Sequence, residues 1–500
     1  MKRSLWMVLI GILVMSLAVQ PVTAQPAWVS EKVWADTEGG ATAHFLVVLR
    51  AQADRPAADG AAFNRDASSA YVNTLMDTAA ASQPALTARL DAMGVSYRAY
   101  WIVNMLAVEG DRQVVEALAA LPEVAYIEPD RAFRVALETG EEERPADAKG
   151  TIQPNISRVG APDLWALGVM GTGTVVANAD TGIYWEHSLL KSQYRGWDGA
   201  AANHNFNWWD AIHQDIDGSS NPCGYESKVP CDDHGHGTHT TGTSVGLNGY
   251  GVAPAARWIG CRNMDSGVGR PSTYIECLQF FMAPTDLNGQ NPNPALRPDV
   301  ISNSYGCPAA EQCNLQSLTA AVESVRAAGI FMSVSAGNDG PTCDTVNDPP
   351  GTDRAVFTVG AVNNSDGIAS FSSRGPAGDL MKPQIVAPGV SVVSASKSGE
   401  TLTTTMSGTS MAAPNVAGGV ALLWSAFPSL RGNVPWTELI LTRSAVPLTT
   451  TEGCGGDSAS QVPNNTYGYG RLDLVSAYNK SENEFAHMIF EMIFLPMVIH

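Results

Sequence analysis

Val175-Val176-Ala177-Asn178-Ala179-Asp180-Thr181-Gly182 is a short apolar run that ends on a carboxylate and then breaks at Thr-Gly. A run this short reads as a strand buried on both faces of a parallel sheet. Open α/β sheets keep their ligand sites at the carboxyl ends of such strands, so Asp180 is predicted to stand at a site. Further runs follow at Val300-Ile301, Phe331-Met332-Ser333-Val334, Val356-Phe357-Thr358-Val359 and Ile385-Val386. Helical stretches separate them. Pro271 to Glu276 opens one, with Thr273 and Glu276 at capping-box spacing, and Val416, Val420, Leu423 and Trp424 recur on one face of another. Strand-helix alternation of this kind predicts an α/β fold in three layers, a mostly parallel sheet with helices on both faces.

Outward from Asp180, Asp232-Asp233-His234-Gly235-His236-Gly237-Thr238-His239 sets histidines at the start of a helix. Gly408-Thr409-Ser410-Met411-Ala412-Ala413-Pro414 sets a serine between small residues at the start of an apolar helix. Small neighbours let a substrate carbonyl approach, and unpaired N–H groups at a helix start can hold an oxyanion. Pro414 is expected to be tolerated because first-turn N–H groups have no intrahelical partner. Peptide hydrolysis needs a nucleophile, a base and a group that fixes the base's tautomer. Ser410, a histidine of the 234–239 cluster and Asp180 are the candidates for those roles. Asn338, in Ser335-Ala336-Gly337-Asn338-Asp339-Gly340, follows an apolar strand and is the candidate amide donor to the oxyanion. Two other readings compete. His234, His236 and His239 resemble the spacing of a zinc-hydrolase run, but no acidic residue lies between them to act as base. A catalytically silent binding protein would leave the intact set without a purpose.

Asp, His and Ser in this chain order, within these motifs, resemble subtilisin-family serine peptidases. The Trp208-Trp209-Asp210 insert, Cys261-Arg262-Asn263-Met264 and Ser372-Ser373-Arg374-Gly375-Pro376 resemble the bacillopeptidase F-like branch of secreted bacterial subtilisins. The resemblance implies a subtilisin-like three-layer fold and a secreted serine endopeptidase acting on proteins or peptides. It places the catalytic imidazole at His236, makes His239 a packed structural residue, and leaves His234 to a solvated loop. It also makes Ser304-Tyr305-Gly306 one wall of the specificity pocket and Ser266-Gly267-Val268-Gly269 the opposite strand. With Ser335, Ala336 and Gly337, their main-chain groups would receive an extended peptide. Asp348, in Asn347-Asp348-Pro349-Pro350-Gly351, falls where relatives form the pocket floor, and a partly buried carboxylate there would favour Lys or Arg. A solvent-facing Asp348 with a broad apolar preference is the alternative. No cofactor is implied for the chemistry. Leu189 stands where many relatives carry a calcium-binding Asp, and Gly246 to Val252 is too short for their Asn-rich loop, so the usual calcium site is expected to be absent. Asp210, Asp215 and Asp217 offer another oxygen-rich cluster, against the plainer reading of a solvated acidic loop.

A chain of 500 residues with 45% hydrophobic content can bury more than one domain. Met1-Lys2-Arg3, an apolar run from Leu5 to about Val19 and Val22-Thr23-Ala24 read as a secretory signal peptide over 1–24. That run falls short of the ~20 residues a membrane span needs. The formal net charge of −19, from 30 basic against 49 acidic residues, argues against nucleic acid as a partner. Eight cysteines, all at or beyond Cys223, suit disulfides in an exported protein. Cys223/Cys231 and Cys307/Cys313 are close enough to staple loops, which leaves Cys261, Cys277, Cys343 and Cys454, with connectivity open.

Residues 25–149 carry none of the catalytic motifs. Strands are expected at 44–49, 101–108 and 124–130, and helices at 70–90 and 114–121. This α+β pattern, with Ile127-Glu128-Pro129-Asp130 ending a strand, resembles an inhibitory propeptide that also templates folding; an ordinary N-terminal binding domain is the alternative. A charged linker from Glu138 to Lys149 reads as an exposed processing site. Residues 150–480 then form the catalytic domain of an expected monomer, with Gly468 to Asp473 resembling its usual end. Residues 481–500 form an apolar tail with no assigned role.

Overall fold

The computed structural model describes residues 26–56, 65–147, 150–307 and 316–482. The expected signal peptide, Lys149, Cys313 and the apolar tail beyond residue 482 lie outside the described residues.

The Val175–Asp180 strand runs through the interior of a seven-stranded sheet. In order, the strands are Ile385–Pro388, Phe357–Val362, Phe331–Ser335, Val300–Asn303, Val175–Asp180, Arg257–Arg262 and Trp208–Asp210. Every pairing is parallel. Side chains alternate across such a sheet, and both faces are apolar here. Val176, Val300 and Phe331 enter one core with the Thr409–Ala426 helix, while Ala177, Ile301 and Met332 enter the other with Pro271–Met282 and Gln316–Ala327. Two-sided burial explains why the strands read as continuous apolar runs.

Val416, Val420, Leu423 and Trp424 are buried as their spacing requires. Pro414 is accommodated in a different way from that expected. The helix begins at Thr409, so Pro414 lies beyond the first turn and deprives the Ser410 carbonyl of its partner. The Ser304 hydroxyl donates to that carbonyl at 3.0 Å instead. The capping box at Thr273 and Glu276 also shifts. The helix starts at Pro271, and it is Arg270 N–H that donates to the Thr273 hydroxyl, at 3.1 Å. Glu276 is buried further along, accepting from Trp209 Nε1 at 2.8 Å and lying 2.9 Å from His213 Nε2.

The N-terminal part holds a five-stranded sheet in the order Trp28–Val29, Val124–Pro129, Ala43–Leu49, Met105–Gly110 and Tyr97–Tyr100. One face, with Leu46 and Val48, packs on the two helices that cover the large sheet, and the other, with Phe45 and Val47, covers its own helices. The strand expected over 101–108 starts only at Met105. Trp101 and Ile102 N–H instead donate to Gln279 Oε1 at 2.6 and 3.2 Å, and Asn104 turns the chain with φ of 45°. The helix expected over 70–90 is two, Arg65–Ser82 and Pro84–Met93, broken before Pro84.

Glu128 and Asp130 serve the neighbouring helices rather than their own sheet. Glu128 accepts from Gln316 and Ser317 N–H at 2.9 and 3.2 Å, at the start of Gln316–Ala327. Asp130 accepts from Ser272 N–H and hydroxyl at 2.9 and 2.6 Å, in the first turn of Pro271–Met282. Carboxylates at these positions satisfy orphan donors and complement the helix dipoles.

The charged linker is less free than expected. Its side chains are exposed from residue 141 to 145, but Glu143–Pro145 pairs antiparallel with Leu402–Met406, whose outer edge would otherwise be unpaired. Disulfides join Cys223 to Cys231, Cys261 to Cys277 and Cys343 to Cys454. Cys307 is also disulfide-bonded.

Candidate active site

Asp180 closes the interior strand Val175–Asp180, and its side chain is 1% exposed. Thr181 N–H donates to Oδ1 at 2.7 Å, and the two carboxylate oxygens lie 2.8 and 3.0 Å from His236 Nδ1. His236 opens the helix His236–Val245. The next residue must be small, because a Cβ at Gly237 would meet Asp180 Cβ at 2.9 Å and run into the Gly182 carbonyl. Asp180 therefore accepts a hydrogen bond from Nδ1–H and leaves Nε2 facing the cleft. Burial lowers the His236 pKa, but the charge and hydrogen bond of Asp180, joined by those of Glu138, outweigh it and push it up to about 10.

Ser410 is the second residue of the Thr409–Ala426 helix, and its hydroxyl donates to the Ser304 carbonyl at 3.1 Å. Asn338 is oriented by Thr409, whose N–H and hydroxyl donate to Oδ1 at 2.9 and 3.1 Å. Its Nδ2 is left to donate into the cleft.

At the point where these groups meet sits a carboxylate from the N-terminal part. Glu138 Oε1 accepts from Asn338 Nδ2 at 2.8 Å, and Oε2 lies 3.0 Å from His236 Nε2. Burial raises the Glu138 pKa, yet the hydrogen bond and charge of His236 outweigh that and hold it below the ordinary carboxylate value. Gly408 makes the room, since any Cβ there would collide with this carboxylate. Nothing local in the sequence distinguishes Glu138 from Glu141, Glu142 and Glu143; only the register of its chain delivers it.

That register involves the expected substrate-binding edge. Phe133–Arg134 pairs antiparallel with Val268–Gly269, Val135 N–H donates to the Gly267 carbonyl at 2.8 Å, and Arg134 Nη1 donates to the Ser266 carbonyl at 2.9 Å. Ser266, Gly267, Val268 and Gly269 thus receive an extended strand through their backbone. Across the cleft, Ser304 braces Ser410, while the Tyr305 ring is buried and stacked on Tyr274 at 4.3 Å, facing the core. Ser335 and Ala336 are buried. Ala336 N–H donates to the Val359 carbonyl, and Gly337 N–H donates to the Thr409 hydroxyl at 3.2 Å, so this segment holds Asn338 in place. Asp348 is half-buried against the Gly306 wall, where an added Cβ would meet its Cβ at 2.7 Å and Oδ2 at 3.2 Å.

The remaining histidines do not gather with His236 around one ion. His239 is buried with Nε2 3.1 Å from the Val392 carbonyl, and burial lowers its pKa to about 4. His234 is half-buried rather than solvated, its ring 6.4 Å from that of His236 and its Nδ1 without a hydrogen-bond partner among the described residues. Burial, then the His236 charge, lowers its pKa. Leu189, at the usual calcium position, is buried in the apolar core, and its carbonyl accepts from Leu247 N–H. In the acidic loop, Asp210 is drawn away to Arg262, which it meets at 2.9 and 2.7 Å. The carboxylates that come within 4.8 Å of one another are those of Asp215, Asp217 and Asp265.

The pattern described as the subtilase family matches residues 171–470. Bacillopeptidase F of Bacillus subtilis is 34% identical over 431 residues, which cover 82% of this chain and 27% of that protein. Subtilisin-like protease 1 of Pseudogymnoascus destructans is 34% identical over 318 residues, 63% of this chain and 67% of that one. Serine protease AprX of Bacillus subtilis is 34% identical over 290 residues, 52% of this chain and 59% of that one. No helix among the described residues is long and apolar enough to cross a membrane.

Proposed function

The chain belongs to the subtilase family, and we propose that it is a secreted, monomeric serine endopeptidase, made as a zymogen and activated by removal of residues 25–149. The observation that carries this reading is the meeting of His236 Nε2 and Asn338 Nδ2 on one carboxylate, with Asp180 behind the imidazole and Ser410 next to the Thr409 that holds Asn338. A base, a nucleophile and an oxyanion donor around one point are what acyl transfer requires.

Once the cleft is clear, His236 Nε2 takes the Ser410 proton as Oγ bonds to the scissile carbonyl carbon. Asn338 Nδ2 and N–H groups at the start of the Thr409–Ala426 helix stabilise the oxyanion, and Asp180 stabilises the imidazolium. The imidazolium gives its proton to the leaving amine as the C–N bond breaks. Water then attacks the acyl-enzyme by the same route in reverse. No cofactor enters these steps. Loss of the Asn338 donor would cost roughly 10²–10³ in turnover. The three disulfides among the described residues support an extracellular setting, as does the signal-like start at 1–24.

Ser410→Ala tests the reading. Peptide hydrolysis falls by about 10⁶-fold, and the N-terminal part stays attached because maturation is autocatalytic. Normal cutting of this variant in a protease-free host would defeat self-processing, and wild-type turnover would defeat the nucleophile. The position of Asp348 against Gly306 favours Lys or Arg before the scissile bond. Asp348→Ala then lowers the Lys/Arg-to-Phe/Leu ratio of kcat/KM on a peptide library; an unchanged ratio excludes that carboxylate as the reader.

A further inference from the structure

We propose that Glu138 is an autoinhibitory plug, its carboxylate standing where the oxyanion of a substrate would form and occupying the base that would activate Ser410. This deepens the zymogen reading above and rests on it.

The plug is built from both sides. Upstream, the chain lies along Val268–Gly269 as a substrate strand would, through Phe133, Arg134 and Val135. It then leaves the extended path, because Leu137 N–H donates to the Val135 carbonyl at 2.9 Å in a three-residue turn. Downstream, Glu141 N–H donates to the Thr405 carbonyl and Glu143–Pro145 pairs with the Leu402–Met406 strand. Glu138 lies between these two anchors with its side chain 11% exposed, whereas the neighbouring Glu141 and Glu142 are exposed.

What the turn places against His236 and Asn338 is therefore a side-chain carboxylate. Like an oxyanion, it is negative and accepts from Asn338 Nδ2; unlike a scissile carbonyl, it offers the serine no amide to cleave. His236 Nε2, the nitrogen that must take the Ser410 proton, faces Glu138 at 3.0 Å. While Glu138 stays in place the catalytic groups are assembled but idle. Self-cleavage must wait for the 136–142 segment to leave, and the strand pairing of Glu143–Pro145 opposes that departure.

The test is the rate at which a biotinylated fluorophosphonate labels Ser410 in the full-length band of freshly secreted protein, before processing. Wild type, Glu138→Ala and the isosteric Glu138→Gln are compared, with Ser410→Ala as the blank. Both Glu138 variants are expected to label about tenfold faster or more than uncut wild type, the scale of one lost charge-assisted hydrogen bond. Amide hydrogen exchange at Trp101 and Ile102, which bond to Gln279 in the interface, should stay at its wild-type rate. Equal labelling of all three uncut chains, with the mature wild-type fragment labelled normally, overturns the proposal. So does faster labelling that comes with faster exchange at Trp101 and Ile102, since the variant would then act by undocking the whole N-terminal part. Failure to label the mature fragment would instead defeat the reading of Ser410.

Discussion

Two carboxylates face His236 from opposite sides and from opposite parts of the chain. Asp180 arrives on an interior strand of a parallel sheet, is held by Thr181 N–H, and meets the ring at Nδ1. Glu138 arrives on a segment between two edge pairings and meets the ring at Nε2. The first carboxylate is fixed by the core, because displacing it would take apart strand pairings on both sides. The second sits on a segment held at either end by pairings at the sheet margins, with Phe133 packed into the core upstream of it. On the proposed reading, the same chemical group supports catalysis on one side of an imidazole and prevents it on the other. The difference lies in how each is attached to the fold.

Opposite roles mean that one type of substitution has opposite effects. Asp180→Asn keeps the shape but withdraws the charge that sets the His236 tautomer, and turnover of the mature enzyme is expected to fall by about 10⁴-fold. Glu138→Gln, the matching change across the ring, accelerates labelling of the uncut chain. A loss of less than about tenfold in Asp180→Asn would mean that the two carboxylates are not distinguished in this way.

A smaller effect separates the two states by pH. His236 is raised from 6.5 to about 10, so its pairing with the carboxylates is fully present below 6.5 and is lost as pH rises through about 10. Glu138 is held below 4.5, so its contribution is present above 4.5 and is lost as pH falls through its lowered value. Cutting away Glu138 removes one of the two anions, and the His236 titration in the mature enzyme therefore lies below that in the uncut chain. The imidazole proton resonance, followed by NMR in uncut Ser410→Ala, should give the higher midpoint. Mature kcat/KM should rise with pH through the lower one. Coincident midpoints would remove Glu138 as a partner of His236.

The large sheet was readable because its strands are buried on both faces, as with Val300-Ile301 and Phe331-Met332. The strands Arg257–Arg262 and Trp208–Asp210 carry no such uninterrupted apolar run. Arg262 looks exposed on hydropathy, yet it is fully buried against Asp210 and Asp233, a compensation no local pattern reveals. Asp180, His236, Asn338 and Ser410 were each picked out by short motifs, since the chemistry and the backbone both constrain the residues beside them. Glu138 was hidden in a charged run because its role depends on Phe133 and Arg134 finding their places beside Gly269 and Val268, a pairing more than a hundred residues away. Glu128 and Asp130 were visible as a motif, but the helix starts they cap belong to distant sequence.

The measurement that bears most directly on the central claim is peptide mapping of the mature protein after reaction with a fluorophosphonate. A single phosphonylated residue, Ser410, is predicted, with labelling lost in His236→Ala because no base remains to take the serine's proton. An adduct on any other residue, or undiminished labelling of Ser410 in His236→Ala, would contradict the account.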